Sequence, residues 1–262
     1  MTTKDQADGG DVGATGCAAP LDRDGVYRFG AIDVRVAAGV PWSYATAQAA
    51  AIDAHWAEAL RQSPRYFNGN VHMTHWVRCD GGTLTAEMIR VDFKAYLYWR
   101  ACGFPSAGII DAFGSALIRT ADDAVVLVRQ RPGQVNSGLY YLPGGFVDGD
   151  DMAADGRVDL RGSVNREVLE ETGLDGDALE VLPGYWVTRA GPHLSIAVGY
   201  LIAMPAAETL EHINRYIAAH PDGELESAIA VRRVQDLQHL AMPEYARRLL
   251  HHIFDGCDGS PE

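Results

Sequence analysis

Polar and apolar residues alternate from Val26 to Val40, with Ile32, Val34 and Val36 on one face, and Pro41 closes the run. A period of two predicts a strand. From Ser43 to Gln62 the period lengthens: Ala47, Ala51, Ala54, Trp56, Ala59 and Leu60 supply one apolar side of a helix that Ser43 can cap. The turn Pro64 to Asn70 carries Tyr66 and Phe67, and two β-rich runs follow, Val71 to Cys79 and Thr83 to Val91. Asp80-Gly81-Gly82 joins them as a hairpin. Phe93 to Cys102 is a short helix with Tyr96, Leu97 and Trp99.

Beyond residue 104 the pattern starts afresh. Ile109 to Ile118 and Ala124 to Val128 are β-branched, apolar runs that read as strands. Leu142 to Asp148 is a short apolar strand entering a Pro143-Gly144-Gly145 turn, where missing Cβ atoms allow close backbone approach. Strands at Gly184 to Arg189 and Leu194 to Ala203 precede a helix from Ala206 to His220, with Leu210, Ile213 and Ile217 on one stripe. Glu226 to Val234 reads as a last strand and Pro243 to Phe254 as a closing helix. This order predicts an α/β protein, a mixed sheet between helices at 105–255, preceded by a smaller α+β domain at 25–104. Residues 1–24 and 256–262, poor in large apolar side chains, are expected to be flexible tails.

Composition narrows the setting. The 262-residue chain has 47% hydrophobic and 22% charged residues and a formal net charge of −13. Such a balance argues against a nucleic-acid backbone as partner. No run of about 18 apolar residues offers a membrane span, and Met1 to Asp24 has no apolar signal-peptide core, so a cytoplasmic location is expected. Cys17, Cys79, Cys102 and Cys257 form no C-x-x-C pair, which argues against a disulfide framework or zinc site.

The chemistry concentrates in Arg166-Glu167-Val168-Leu169-Glu170-Glu171-Thr172-Gly173-Leu174. On a helix, Glu167 and Glu171 stand one turn apart with Glu170 beside them. With Gly173 just past the helix end, the three anions occupy its last turns, where each costs about 0.3–1 kcal/mol against the dipole. Arg166 can offset only one of them. A divalent cation offsets all three, and an oxygen-only ligand set selects Mg²⁺ or Mn²⁺. The plain alternative is a solvated acidic face. Arg129 and Arg131 border a loop that feeds the glycine turn; they are candidates to meet a substrate phosphate, against the alternative of solvated surface arginines.

The glycine turn followed by this helix resembles the Nudix hydrolase family, whose signature runs Gly, five residues, Glu, seven residues, then Arg-Glu-apolar-any-Glu-Glu-any-Gly-apolar. Residues 166–174 match the second half throughout, while Asp151 stands where Glu is expected and fourteen residues, Met152 to Asn165, replace seven. The extra seven are placed in Met152 to Val158, with Asp159 as helix cap. The resemblance implies a Nudix fold and Mg²⁺ or Mn²⁺ held by Glu167, Glu170 and Glu171, with a backbone carbonyl from Gly144 or Gly145. Arg166 would position a glutamate, and Glu226, with Glu224 second, would serve as a further ligand or base. The layout resembles the UDP-glucose and UDP-galactose diphosphatase branch. That implies a nucleotide-sugar substrate, UMP and sugar 1-phosphate as products, and Tyr66, Phe67 or Tyr96 stacking on the base. ADP-ribose or another nucleoside diphosphate is the rival substrate, a non-catalytic nucleotide-sugar sensor the rival function, and a homodimer an open alternative to a monomer.

Overall fold

The computed structural model describes residues 19–64 and 66–256. Of the tails expected at 1–24 and 256–262, residues 1–18 and 257–262, with Cys17 and Cys257, lie outside the described residues. The chain forms β1 (Ala19–Pro20), β2 (Gly25–Phe29), β3 (Ala31–Ala37), α1 (Ser43–Ala47), α2 (Ala49–Gln62), β4 (Asn70–Asp80), β5 (Thr83–Asp92) and α3 (Phe93–Ala101). It continues as β6 (Asp111–Thr120), β7 (Val125–Gln130), β8 (Tyr140–Tyr141), α4 (Leu160–Thr172), β9 (Leu179–Ala190), β10 (His193–Ile202), α5 (Ala206–Ala219), β11 (Leu225–Val231) and α6 (Glu244–Phe254). No helix among the described residues is long and apolar enough to cross a membrane.

The strands form two sheets. One has the order β1-β4-β5-β3; the other runs β11-β7-β6-β10-β9-β2, with β8 on β7. In the larger sheet β6 and β10 are parallel while β9 and β10, and β7 and β11, are antiparallel, so it is mixed as expected. The alternating run from Val26 divides at Gly30. Residues before it pair with β9 in the large sheet, and residues after it pair with β5 in the small one. Residues 25–29, which fall within the expected N-terminal domain, therefore belong to the larger sheet.

Residues 19–24 are likewise structured rather than tail. Ala19 and Pro20 pair with Cys79 and Arg78, Leu21 is buried, and the Gly191 N–H donates to Asp24 Oδ1 at 2.9 Å. The predicted helix at 43–62 breaks at Gln48, and Trp42 rather than Ser43 holds the cap position, its indole buried and donating to the Ala107 carbonyl.

The sheets share one core. Val34, Leu84, Ala86 and Met88 of the small sheet pack in the same buried cluster as Val126, Ile196 and Val198 of the large one. Two stitches join them through backbone. Thr74 and Ile110 exchange both N–H···O bonds, at 3.0 and 2.7 Å, where β4 bulges between Thr74 and Trp76. The second stitch is the extra loop of the signature: Val158 N–H donates to the Val34 carbonyl and Val36 N–H to the Gly156 carbonyl, each at 2.9 Å. The insertion thus covers the open edge of β3 and then enters α4.

Replacing Val158 with proline removes the donor to Val34. The expected cost is about 1–3 kcal/mol of unfolding free energy, read as a lower denaturant midpoint with unchanged slope; an unshifted midpoint would show the stitch to be dispensable.

Candidate active site

Helix α4 presents the acidic cluster as its local sequence requires. The Asp159 side chain accepts from Gly162 N–H at 3.0 Å and starts the helix, and Gly173, at φ 69°, ends it. Leu160, Val164 and Val168 are buried beneath, and Glu167 and Glu171, three residues on from Val164 and Val168, stand on the adjoining face. The glycine turn closes on that face. Gly144 has φ 147° and its N–H donates to Glu171 Oε2 at 2.9 Å, and any Cβ there would lie 2.3 Å from the Gly114 carbonyl oxygen. A Cβ on Gly145 would meet Glu167 Oε2 at 2.7 Å. Gly144 is thus required by backbone approach and by its φ, whereas at Gly145 a side chain would displace the Glu167 carboxylate. The Gly145 carbonyl accepts from Gly114 N–H at 3.2 Å, which leaves it one lone pair for a further partner.

Arg166 gathers the carboxylates. Its Nη2 donates to Asp151 Oδ1 at 2.9 Å and Asp148 Oδ2 at 3.2 Å, and its Nη1 reaches Glu167 Oε1 at 3.2 Å and Glu170 Oε2 at 3.6 Å. Asp151, in the expected Glu position, is buried; its other oxygen accepts from Ser163 Oγ at 2.8 Å and from Asp148 N–H at 2.9 Å. Every contact of Asp151 is therefore a positioning contact.

Burial pushes the Glu167 carboxyl up to about 7, with Arg166 opposing and Glu170 and Glu224 adding to the rise. Burial likewise holds Glu171 well above the usual carboxylate range, despite the Gly144 hydrogen bond. Enclosed like charges of this kind call for a hard cation, and the donor set, oxygen only, fits Mg²⁺ or Mn²⁺. Among the described residues no three such side chains are drawn into a ready-made metal cluster, since Glu167 and Glu170 turn to Arg166.

A cavity of about 840 Å³ opens on this face. It is lined by Gly144, Gly145, Glu167, Glu171 and Glu224 on one side and by Tyr66, Phe67, Tyr96 and Arg100 of the N-terminal region on another, with Arg131 along it. Several expected site residues are therefore brought together, while Arg166, Glu170, Arg129 and Glu226 do not line this cavity; Glu170 instead borders, with Glu167, Glu171 and Glu224, an adjoining one of about 170 Å³. Arg129 pairs with Glu226 at 3.1 Å and neither lines the cavity. The cause is a bulge in β11: Leu225 pairs with Gln130 and Ser227 with Arg129, so Glu226 is the extra residue. Glu224, the second candidate, instead lines the cavity beside Glu167 and Glu171 and accepts from Gln130 Nε2 at 3.3 Å.

Of the aromatics, Phe67 is 82% exposed, whereas Tyr66 lies against Trp56 with an interplanar angle of 12°. Tyr96 is buried, edge-on to Phe146 at 5.0 Å, and its hydroxyl donates to Asp111 Oδ2 at 2.9 Å, so it is wall rather than stacking platform. Arg100, Asp111 and His193 also line the cavity. Nothing in their local sequence sets them apart: Arg100 sits in an amphipathic helix, Asp111 begins an apolar strand and His193 is isolated. Burial raises Asp111 to about 7 and lowers His193 to about 4, so their 3.8 Å contact is not an ion pair at neutral pH.

The raised carboxyls fix the sign of a pH dependence. From the ordinary glutamate value of about 4.3 up to about 7 for Glu167, the folded chain holds more protons than the unfolded one, so stability falls as pH rises through that window. With chelator present, the melting temperature should drop between pH 5 and pH 8; Mg²⁺ should restore more of it at pH 8 than at pH 5, and Glu167→Gln should flatten the slope. An equal magnesium shift at both pH values would count against the acids as the cation's ligands.

The NUDIX domain family model matches residues 110–253, more than half of the chain. No curated protein matches. Among solved structures, the chain is similar to the MutT protein from Methanosarcina mazei Go1, at 21% identity, 58% of this chain, 96% of that one and TM-score 0.37. It is also similar to the Nudix hydrolase RenU from M. smegmatis (14%, 58% and 88%, 0.37) and to a C. elegans Ap4A hydrolase (12%, 56% and 99%, 0.38). By the family model and the complete Arg166–Leu174 motif set against its glycine turn, the chain belongs to the Nudix domain family.

Proposed function

We propose that the protein hydrolyses the pyrophosphate of a nucleoside diphosphate sugar, a UDP-sugar foremost, to UMP and sugar 1-phosphate. The observation that carries this reading is a cavity of about 840 Å³ lined both by the acidic helix and by the N-terminal aromatics. That volume lies within the range of about 300–1,000 Å³ usual for small-molecule sites, and the presence of acids and aromatics along one cleft supports a substrate with both a diphosphate and a ring. The enclosed glutamates favour turnover over a sensor, because carboxylates held against their own repulsion serve no purpose in plain binding of an anion.

Glu167, Glu170 and Glu171, with the free lone pair of the Gly145 carbonyl, would hold Mg²⁺ or Mn²⁺. Such a cation, when bound, neutralises the diphosphate and acidifies water. The chain's own residues supply the rest. Arg131, whose Nε donates to the Gly223 carbonyl at 3.1 Å, is a cavity-lining cation that binds and orients the phosphates. Glu224, oriented by Gln130, takes the proton of the attacking water. Arg166 is a positioning residue: it sets the rotamers of Glu167 and Glu170 and reaches no phosphate itself. Phe67, exposed at the rim, offers a free face to the base.

Glu170 is exposed, so Glu170→Gln should leave circular dichroism unchanged and cut Mg²⁺-dependent turnover by orders of magnitude; full activity would sink the assignment. Glu224→Gln should lower kcat strongly, whereas Glu226→Gln should cost no more than the surface pair with Arg129, about 0–1 kcal/mol of stability. UMP or AMP release from UDP-glucose, UDP-galactose and ADP-ribose decides the substrate, and AMP from ADP-ribose alone would replace the UDP-sugar reading.

A further inference from the structure

Asp111 begins β6, and its placement is unusual for a carboxylate. It is 2% exposed, and although Oδ2 accepts from the Tyr96 hydroxyl, Oδ1 is buried with no hydrogen-bond partner among the described residues. Leaving such an oxygen unpaired costs about 1–3 kcal/mol, more if it is charged. Two neighbours could relieve it and do not. Arg100 directs its Nη2 to the Val135 carbonyl at 2.9 Å and Asn136 Oδ1 at 3.1 Å, and His193 Nε2 stays 3.8 Å from Oδ2. The backbone pins the residue there: its N–H donates to the Pro192 carbonyl at 2.8 Å, and the preceding Ile110 is locked to Thr74. Yet Asp111 lines the cleft that holds the acidic helix, beside Phe113, Phe146 and Tyr245.

Its distance from the chemistry is set by the strand. Gly114, which bonds the Gly145 carbonyl, lies three residues along β6, about 10 Å at strand rise. A group bonded directly to the terminal phosphate reaches that far, which leaves the exposed Phe67 for the base. A carboxylate among aromatic rings suits a hydroxyl-rich, weakly apolar ring. We propose that Asp111 is a substrate-binding residue that selects the sugar, its unpaired Oδ1 accepting a hydroxyl of the hexose after a small shift of the surrounding rings. This rests on the nucleotide-sugar reading given above.

The test is a cycle between Asp111→Asn and the substrate's hydroxyl groups. Values of kcat/KM are measured for the wild type and the variant on UDP-glucose, its single-deoxy analogues and a UDP hexyl ester, which keeps the pyrophosphate but lacks the sugar. In the wild type one deoxy analogue should lose roughly 10- to 100-fold, and in Asp111→Asn that same deletion should lose much less. The variant should also fall further on UDP-glucose than on the hexyl ester. Equal losses on both, or a lowered melting temperature with the sugar-to-ester ratio unchanged, would make Asp111 a structural hub and overturn the proposal. A variant altered in its choice between UDP and ADP compounds would overturn it in favour of base reading. Should the variant not fold, a wild type indifferent to every hydroxyl deletion overturns the proposal, and one sensitive deletion supports it. A wild type that cleaves the ester and no nucleotide sugar would remove the substrate reading itself, a distinct result from an active wild type with an indifferent variant.

Discussion

One guanidinium organises the acidic face. Arg166 holds Asp148 and Asp151 with one nitrogen and Glu167 and Glu170 with the other, and hydrogen bonding to the buried Asp151 carboxylate, above all, makes its positive charge harder still to remove. Four anions within reach of one cation leave a net excess of negative charge, partly enclosed, at the C-terminal end of a helix. That excess is what a hard cation would neutralise. The geometry of α4, the two adjacent glycines and the capped 3-10 turn at Gly149–Asp151 all serve to keep this cluster assembled around Arg166.

Enclosure recurs across the cleft. Glu167, Glu171 and Asp111 all have carboxyls raised first of all by loss of water. The same desolvation that makes these groups costly to the folded chain makes them strong partners for whatever enters, because a hydrogen bond or charge contact gains weight in a medium of low dielectric. Stability is thus lowered along the cleft, a distribution expected of functional sites.

How much of this could be read beforehand depends on the range of the interactions. The motif at 166–174 is local, a matter of helical spacing and of one glycine, and the strands and helices around it follow from equally local periodicity. Asp151 could be located by counting, but its bond to Arg166 fifteen residues away could not be seen in spacing alone. Glu226 and Glu224 share one face in an ideal strand; the bulge that separates them arises from pairing with β7, which no local pattern encodes. The division of one alternating run at Gly30 into two sheets, and the meeting of Arg100 with the loop at Val135, are likewise long-range. Asp111 is the extreme case: its significance lies in what does not touch it.

The passage of the chain through Gly30 has a consequence for where this protein can be divided. Because β2 completes the outer edge of the large sheet and β3 the small one, a cut near residue 104 would yield no pair of self-sufficient halves. The C-terminal portion would bare the flank of β9, lose the partner of Ile110 beside the cleft and leave the loop before α4 without the strand it lies on. The smallest segment that keeps both sheets whole begins at Ala19, so the apparent accessory region is part of the framework on which the acidic helix stands.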